Sequence, residues 1–290
     1  MKTNLTVIIL TYNEKLHIRR CLENVFQLNP KQIFVVDCFS TDGTQEIATR
    51  CGATVVEREW PGFYAKQFNW ALDNLPINAT WVLRLDADEY LTEDTIVKLK
   101  QSLATMPEEV DGLTLKLNRR FLGRKIHYGM PTLRLLRLFR YGRGRLEDRA
   151  MDEHVIVGEF EQVDGLWELK TEGRTIDFDG AFSDDNLNSF EWWKVKHIGY
   201  AKREAQDAIA LFASPERLTH PSATDQKKIK YYKLPPYLRA VMYWGVRYFL
   251  WKGFLDGRAG WQWNFWQGLW YRWTVDKRIQ EMKRERRRRS

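Results

Sequence analysis

The stretch Trp81-Val82-Leu83-Arg84-Leu85-Asp86-Ala87-Asp88-Glu89 decides how the rest of this 290-residue chain is read. Residues 81–85 have the length and apolar content of a strand, and a helix-like segment opens near Thr92. Two carboxylates one residue apart at a strand's end can share one hard divalent cation, and that cation can in turn hold a diphosphate. Mg²⁺ binds in this way, through one or two carboxylates plus substrate phosphates, without an all-protein cage. Acidic pairs are also common in solvated turns, so the segments upstream decide the matter.

Upstream, residues 5–10 form an apolar run of strand length that ends in Thr11-Tyr12-Asn13-Glu14. From Glu14 to Gln27 the apolar residues Leu16, Ile18, Cys21, Leu22, Val25 and Phe26 recur at helical spacing. A second strand, 32–36, runs into Asp37-Cys38-Phe39-Ser40-Thr41-Asp42-Gly43-Thr44. There Ser40, Thr41 or Asp42 can cap a helix starting near Thr44, and Gly43 eases the turn. A third strand at 53–56, a helix at 63–72 and the fourth strand at 81–85 follow. Strands alternating with helices predict right-handed crossovers and a parallel sheet. Ligands of such sheets bind outside the carboxyl ends of the strands, where all three polar clusters fall.

On these residues the chain resembles the family 2 glycosyltransferases of the GT-A fold. Thr-Tyr-Asn-Glu follows strand one, Val-Asp-x-x-Ser-x-Asp-Gly-Thr strand two and Asp-Ala-Asp-Glu strand four, in the family's order, over roughly residues 4–160. Within the family the chain is similar to bacterial lipopolysaccharide-core glucosyltransferases of the WaaE-like type. The resemblance implies an inverting transferase using a nucleotide-sugar, a UDP-sugar by expectation, with Mg²⁺ or Mn²⁺. It implies Asp88 as metal ligand, Asp86 facing ribose or metal, and Asp37 on the base with Thr11 and Tyr12 flanking it. Asn13, Glu14, Ser40 and Asp42 would line the donor site, and Lys66 and Asn69 match a position beside the nucleotide, though solvated helix surface is the alternative for both.

Composition bounds the same answer. Cys21, Cys38 and Cys51 are odd in number and lack C-x-x-C spacing, which suits reduced, buried thiols in a cytosolic protein. The apolar run near Met1 is short for a signal sequence, and no run reaches the roughly 18 apolar residues of a spanning helix. The net charge of +8 is concentrated at the end, where residues 277–289 carry eight basic and two acidic side chains. The N-terminal half is therefore no basic nucleic-acid surface, and no nucleic-acid partner is expected.

The middle should hold the acceptor side. Residues 112–117, 132–139 and 153–157 read as strands, with arginines between and along them. Arg134 and Arg137 cannot both be buried unpaired. They could meet a donor or acceptor phosphate, or form salt bridges to Asp148 or Asp152. Inverting transfer needs a carboxylate that takes the proton of the attacking hydroxyl as the donor bond breaks. The resemblance places that base near the end of this region, within a His-Glu pair. Here the order is Glu153-His154, so Glu153 is the first candidate, Asp152 the second and Asp148 the third. His154 adjoins the base. His197, in a helix-like stretch, either touches diphosphate or acceptor or is a structural imidazole.

Seven of the thirteen tryptophans lie between Trp244 and Trp273. Trp263, Trp266, Trp270 and Trp273 would share one face of a regular helix. Arg239, Arg247, Lys252 and Arg258 interrupt the apolar residues 237–261, which defeats spanning and suits a helix in the headgroup layer. The expected organisation is therefore an α/β catalytic domain over 1–180, with a nucleotide-sugar half (1–105) and an acceptor half (106–180). A helical extension (181–233) and an amphipathic aromatic module with a basic tail (234–290) follow. The module would rest on the inner face of the cytoplasmic membrane, facing an anionic surface and a lipid-linked or lipopolysaccharide-type acceptor; a helical hairpin whose aromatic stripe is core is the other possibility.

Three rival classes fit less well. A sugar nucleotidyltransferase wants a Gly-rich basic loop after strand one, which Thr11-Tyr12-Asn13-Glu14 is not. A processive synthase wants spanning helices and Gln-x-x-Arg-Trp, whereas residues 267–273 have other spacing. A membrane- or RNA-binding protein using only the tail leaves the three strand-end motifs unexplained.

Overall fold

The computed structural model describes residues 2–147, 154–219 and 223–289. The chain divides into two compact units, Met1–Gly123 with Thr132–Leu187, and Arg124–Pro131 with Asn188–Ser290.

The first unit begins with β1 (Thr3–Thr11), α1 (Ile18–Phe26), β2 (Pro30–Asp37), α2 (Thr44–Arg50) and β3 (Thr54–Glu57). It continues through α3 (Tyr64–Asn74), β4 (Trp81–Asp86), β5 (Glu89–Leu91), α4 (Glu93–Ser102) and β6 (Gly112–Phe121). The short β7 (Arg124–Ile126) belongs to the second unit; the first resumes with β8 (Arg134–Arg140), β9 (Gly144–Leu146), β10 (Val155–Val163), β11 (Leu166–Glu172) and β12 (Thr175–Asp184). The main sheet runs β3-β2-β1-β4-β8-β6-β12-β5. Neighbours from β3 to β4 are parallel, β8 is antiparallel to both β4 and β6, β12 is parallel to β6, and β5 antiparallel to β12. It follows that β6 and β12 point the same way as β1 and β4, and their carboxyl ends reach the same edge. This is the expected mostly parallel α/β sheet.

Both sheet faces are covered, which is why β1 reads as one apolar run. Leu5, Val7 and Ile9 pack on one side with Ile18, Cys21, Leu22 and Val25 of α1 and Ile96 and Leu99 of α4. Ile8 and Leu10 pack on the other with Ala65, Phe68, Ala71 and Leu72 of α3. Each fully buried branched side chain contributes about 1.5–3 kcal/mol. Thr92 caps α4 by accepting from the Thr95 N–H. At α2 the cap position is Gly43, at φ +92°, and the Asp42 carboxylate accepts from the Thr44 N–H at 3.0 Å. A separate antiparallel sheet is ordered β11-β10-β9. Of the three thiols only Cys21 is fully buried; Cys38 and Cys51 are half-buried, which corrects the expectation for those two.

The second unit is helical: α5 (Phe190–Ala213), α6 (Pro215–Thr219), α7 (Ala223–Tyr232), α8 (Leu238–Gly245), α9 (Gly257–Trp263) and α10 (Tyr271–Arg289). Small residues Ala201, Ala205 and Ala208 of α5 let α10 approach through Tyr271, Val275 and Ile279. Glu204 accepts hydrogen bonds from the hydroxyls of Tyr232 and Tyr271 and pairs with Arg272.

The tryptophan stripe differs from expectation. Residues Asn264–Trp270 wind as a π-helix, whose wider turn breaks the 3.6-residue period that would align the four rings. Trp263 is 4% exposed, Trp266 meets the Phe190 ring edge-on at 4.8 Å, and Trp270 lies 6.1 Å from Trp193. Of the four only Trp273 is open, beside Tyr237. Trp263 is thus core of the second unit, and Trp266 and Trp270 are half-buried against its other rings. No helix among the described residues is long and apolar enough to cross a membrane.

Candidate active site

The loops after β1 and β2 are braced against each other. Thr11 is paired with Asp37 in the β1/β2 register, and its hydroxyl donates to the Asp37 carboxylate at 2.6 Å. Ser40 donates to the same carboxylate through its N–H (2.7 Å) and its hydroxyl (2.6 Å), and Gln45 through its side-chain amide (2.7 Å). Four donors fill the lone-pair directions of this buried group. Asn13, at φ +56°, takes its position from Ser40 and Thr41: its N–H donates to the Ser40 hydroxyl and its side-chain oxygen accepts from the Thr41 N–H. The Glu14 N–H donates to the Thr44 hydroxyl and the Lys15 N–H to Asp42. His17 Nε2 accepts from the Leu187 N–H, so its Nδ1–H donates to the Glu14 carboxylate at 2.6 Å. Most motif residues therefore shape the edge, while Tyr12, 63% exposed, and Phe39, at φ +58°, are left open above it.

The Asp86/Asp88 turn lies beside this edge, with Leu10 paired to Asp86. The end of β12 comes to the same place: Asp184 pairs with Glu89 across β5. The Asp185 N–H and Arg20 donate to the Asp88 carbonyl at 3.1 and 3.3 Å, and Asn186 donates to the Asp88 carboxylate at 3.0 Å. Asp185 is clamped by Arg20 (3.0 Å) and Arg120 (3.3 Å). Asp86 has Arg84 at 3.5 Å and 42% of its side chain accessible.

Negative charge is concentrated here. Asp184 is pushed up to about 6 by desolvation and then by the charges of Asp88 and Asp86, against Arg119. Since 37% of its side-chain surface is accessible, the neighbouring charges are the firmer cause. Burial also raises the Glu89 carboxyl, with Arg137 opposing, whereas Arg137 is raised despite desolvation because Glu89, Asp86, Asp184 and Asp88 surround it. Four carboxylates around the one guanidinium hold Arg137 in its charged state.

Residues 6–149 match a family profile described as Glycosyl transferase family 2. Over that segment the chain is similar to the family 2 glycosyltransferases. An uncharacterized glycosyltransferase of Rickettsia conorii is 38% identical over 90 residues, 31% of this chain and 30% of that protein. One of Rickettsia bellii is 29% identical over 105 residues, 36% of this chain and 34% of that protein. The chain thus spans about a third of the length of the curated relatives it matches. Among solved structures, S. aureus TarS is 29% identical with a TM-score of 0.35, covering 45% of this chain and 24% of that one. Glucosyl-3-phosphoglycerate synthase from Mycobacterium tuberculosis, in complex with Mn²⁺, UDP and glucosyl-3-phosphoglycerate, is 22% identical with a TM-score of 0.33, covering 41% and 44%.

The sheet-containing unit is a mostly parallel sheet flanked by helices. Its arginines are committed within the sheet. Arg134 pairs with Asp177 at 3.0 Å and donates to the Thr114 carbonyl, and Arg137 pairs with Glu89, so both have counter-ions among the described residues. Asn69 grips the backbone of Leu146 through both halves of its amide, each at 2.9 Å, and so secures β9. Lys66 is exposed, its ammonium 4.6 Å over the Phe63 ring. Asp148, Asp152 and Glu153 lie outside the described residues; His154 is exposed, and its carbonyl accepts from the Glu147 N–H at 3.0 Å. His197 lies in the second unit, stacked 3.6 Å from Trp193 and bonded to that residue's carbonyl. Asp184, Asp185, Asn186, Arg20 and Arg120 were missed. The signal was an Asp-Asp-Asn run closing a strand-like segment, the same form of signal as Asp86/Asp88.

Proposed function

We propose that this chain is an inverting, metal-dependent hexosyltransferase that moves a sugar from a nucleotide-sugar, a UDP-sugar by preference, to a lipid-linked or lipopolysaccharide-type acceptor. The observation that carries it is the convergence of Asp86, Asp88 and Asp184 on the carboxyl edge of the main sheet, in a chain similar to the family 2 glycosyltransferases. The charges of Asp88 and Asp86 push the Asp184 carboxyl up, a concentration of negative charge that fits a divalent cation. No group of three potential ligands forms a cage among the described residues; a Mg²⁺ or Mn²⁺ held by Asp88 and Asp86 would take its other ligands from the diphosphate and water. Bound there, the ion would neutralise the departing diphosphate. Tyr12 would lie against the base, and Thr11, Asn13, Ser40, Asp42 and Asp37 would hold the loops that receive it. Glu153, with Asp152 as second candidate, would take the acceptor proton. The enzyme would work peripherally at the inner face of the cytoplasmic membrane, supported by the basic α10 and the exposed aromatics of the second unit.

The test is nucleoside diphosphate release from a panel of UDP-, GDP- and dTDP-sugars with Mn²⁺. The expected result is release from one donor class, abolished by chelation and by Asp88→Ala with an unchanged melting temperature. Failure of every donor to be turned over or to raise the melting temperature would overturn the proposal.

A further inference from the structure

A run of exposed apolar side chains precedes the stripe of Trp263, Trp266 and Trp270, at the loop-like tip where a π-helix (Val246–Leu250) gives way to a 3-10 turn (Gly253–Asp256). In residues 249–255, Phe249, Leu250, Trp251, Phe254 and Leu255 are all exposed, Leu250 the most at 73%. The loop is nevertheless held from beneath. The Trp251 carbonyl accepts from the Gly129 N–H at 2.9 Å, and Arg247 Nε donates to the Gly129 carbonyl at 2.8 Å. Asp256 accepts from the His127 and Tyr128 N–H groups at 2.9 and 2.8 Å. Gly253 and Gly260 touch so closely that a Cβ on Gly260 would lie 2.1 Å from the Gly253 carbonyl oxygen. Four large apolar side chains and a tryptophan are thus displayed on a tip braced by these hydrogen bonds, which lowers the ordering cost of meeting a partner.

Charge selects the partner. Asp256 is the sole acid between residues 234 and 275, and two backbone amides occupy its carboxylate, while Lys252 and Arg258 are exposed on either side of it. An apolar tip with a tryptophan and a cationic rim matches the boundary between acyl chains and anionic headgroups. We propose that residues 249–255 are a membrane wedge, seated in the headgroup layer of an anionic bilayer with Lys252 and Arg258 on the lipid phosphates. This rests on the peripheral-membrane reading above and gives it a specific surface.

The experiment uses the full-length protein and sedimentation with vesicles of phosphatidylglycerol and phosphatidylcholine, or phosphatidylcholine alone. Wild type should bind the anionic vesicles, and Leu250→Ser/Phe254→Ser should lower partitioning by about tenfold or more, since two side chains no longer leave water. Val195→Ser, at another exposed apolar position, should bind as wild type does. Lipids brominated on the acyl chain should quench a component of the fluorescence that Trp251→Phe removes. Undiminished binding by the double variant, or no quenching assignable to Trp251, overturns the wedge while leaving membrane association standing. Wild type that ignores both vesicles overturns the membrane reading itself, and equal binding to both overturns the role of Lys252 and Arg258.

Discussion

Glu89 and Arg137 form an ion pair sealed inside the sheet, each side chain only 6% exposed, directly behind Asp86. One Glu89 oxygen meets the guanidinium, and the other accepts the Asp86 N–H at 3.0 Å. Arg137 also lies over the Phe182 ring at 4.8 Å. The backbone of the acidic turn is thereby tied to β8 and β12. Arg137→Met should destabilise the domain by about 3–5 kcal/mol, because it strands a buried charge, and Glu89→Gln with Arg137→Met should restore much of that. Chemical denaturation reads both; a single variant as stable as wild type would refute the idea.

Tyr12 and Asp37 should separate in their effects. Tyr12 is open, so Tyr12→Ala should leave the melting temperature unchanged and weaken nucleotide affinity by about 1–3 kcal/mol, roughly 5- to 150-fold in Kd. Asp37 is buried under four donors, so Asp37→Ala should cost more than about 2 kcal/mol of stability as well as nucleotide binding. Calorimetric titration with the nucleoside diphosphate, alongside melting curves, distinguishes the two.

Glu153→Gln should lower kcat by about 10²–10⁴-fold while donor binding survives, since a base acts on the acceptor proton. Retained turnover in Glu153→Gln with a collapse in Asp152→Asn would move the role to Asp152.

The second unit should carry its own acid sensitivity. Burial would raise Glu204, but Arg272, Tyr271 and Tyr232 overcome it and hold the carboxyl below its ordinary 4.5. A depressed carboxyl contributes stability that is complete above its ordinary value and is lost as pH falls through that value and the folded one. The stability gap between wild type and Glu204→Gln should therefore be widest near neutrality and shrink below pH 4.5. A gap independent of pH would mean that packing, not charge, holds α5 to α10.

The parts of the fold written in local pattern were legible. β1, β2 and β4 are unbroken apolar runs, and their terminal motifs led directly to the carboxyl edge. What escaped was written in pairing over long distance. β5 is three residues long and hides inside what looked like a turn. β12 alternates with polar residues and acquires its place only by lying between β6 and β5. One overlooked sign was local: Asp164-Gly165, with φ of +50° and +80°, is the two-residue hairpin turn that joins β10 to β11. The tryptophan stripe failed for another reason, since composition does not reveal where a helix widens its turns. The partners of Arg134 and Arg137 could not be read either, because Asp177 and Glu89 reach them through sheet register.

The position of β12 also bears on how the chain is made. A growing polypeptide that has reached residue 149, where the family match ends, has β6 with one side unpaired and β5 with no partner. Open strand edges invite pairing with other chains. Contacts that span so much sequence also form slowly. The nascent chain therefore passes through an interval in which its Asp86/Asp88 turn exists but its frame does not, and a chaperone that shields β6 would act in that interval. A fragment cut at residue 149 would remain there permanently, whereas one reaching Leu187 carries the strand that closes both edges.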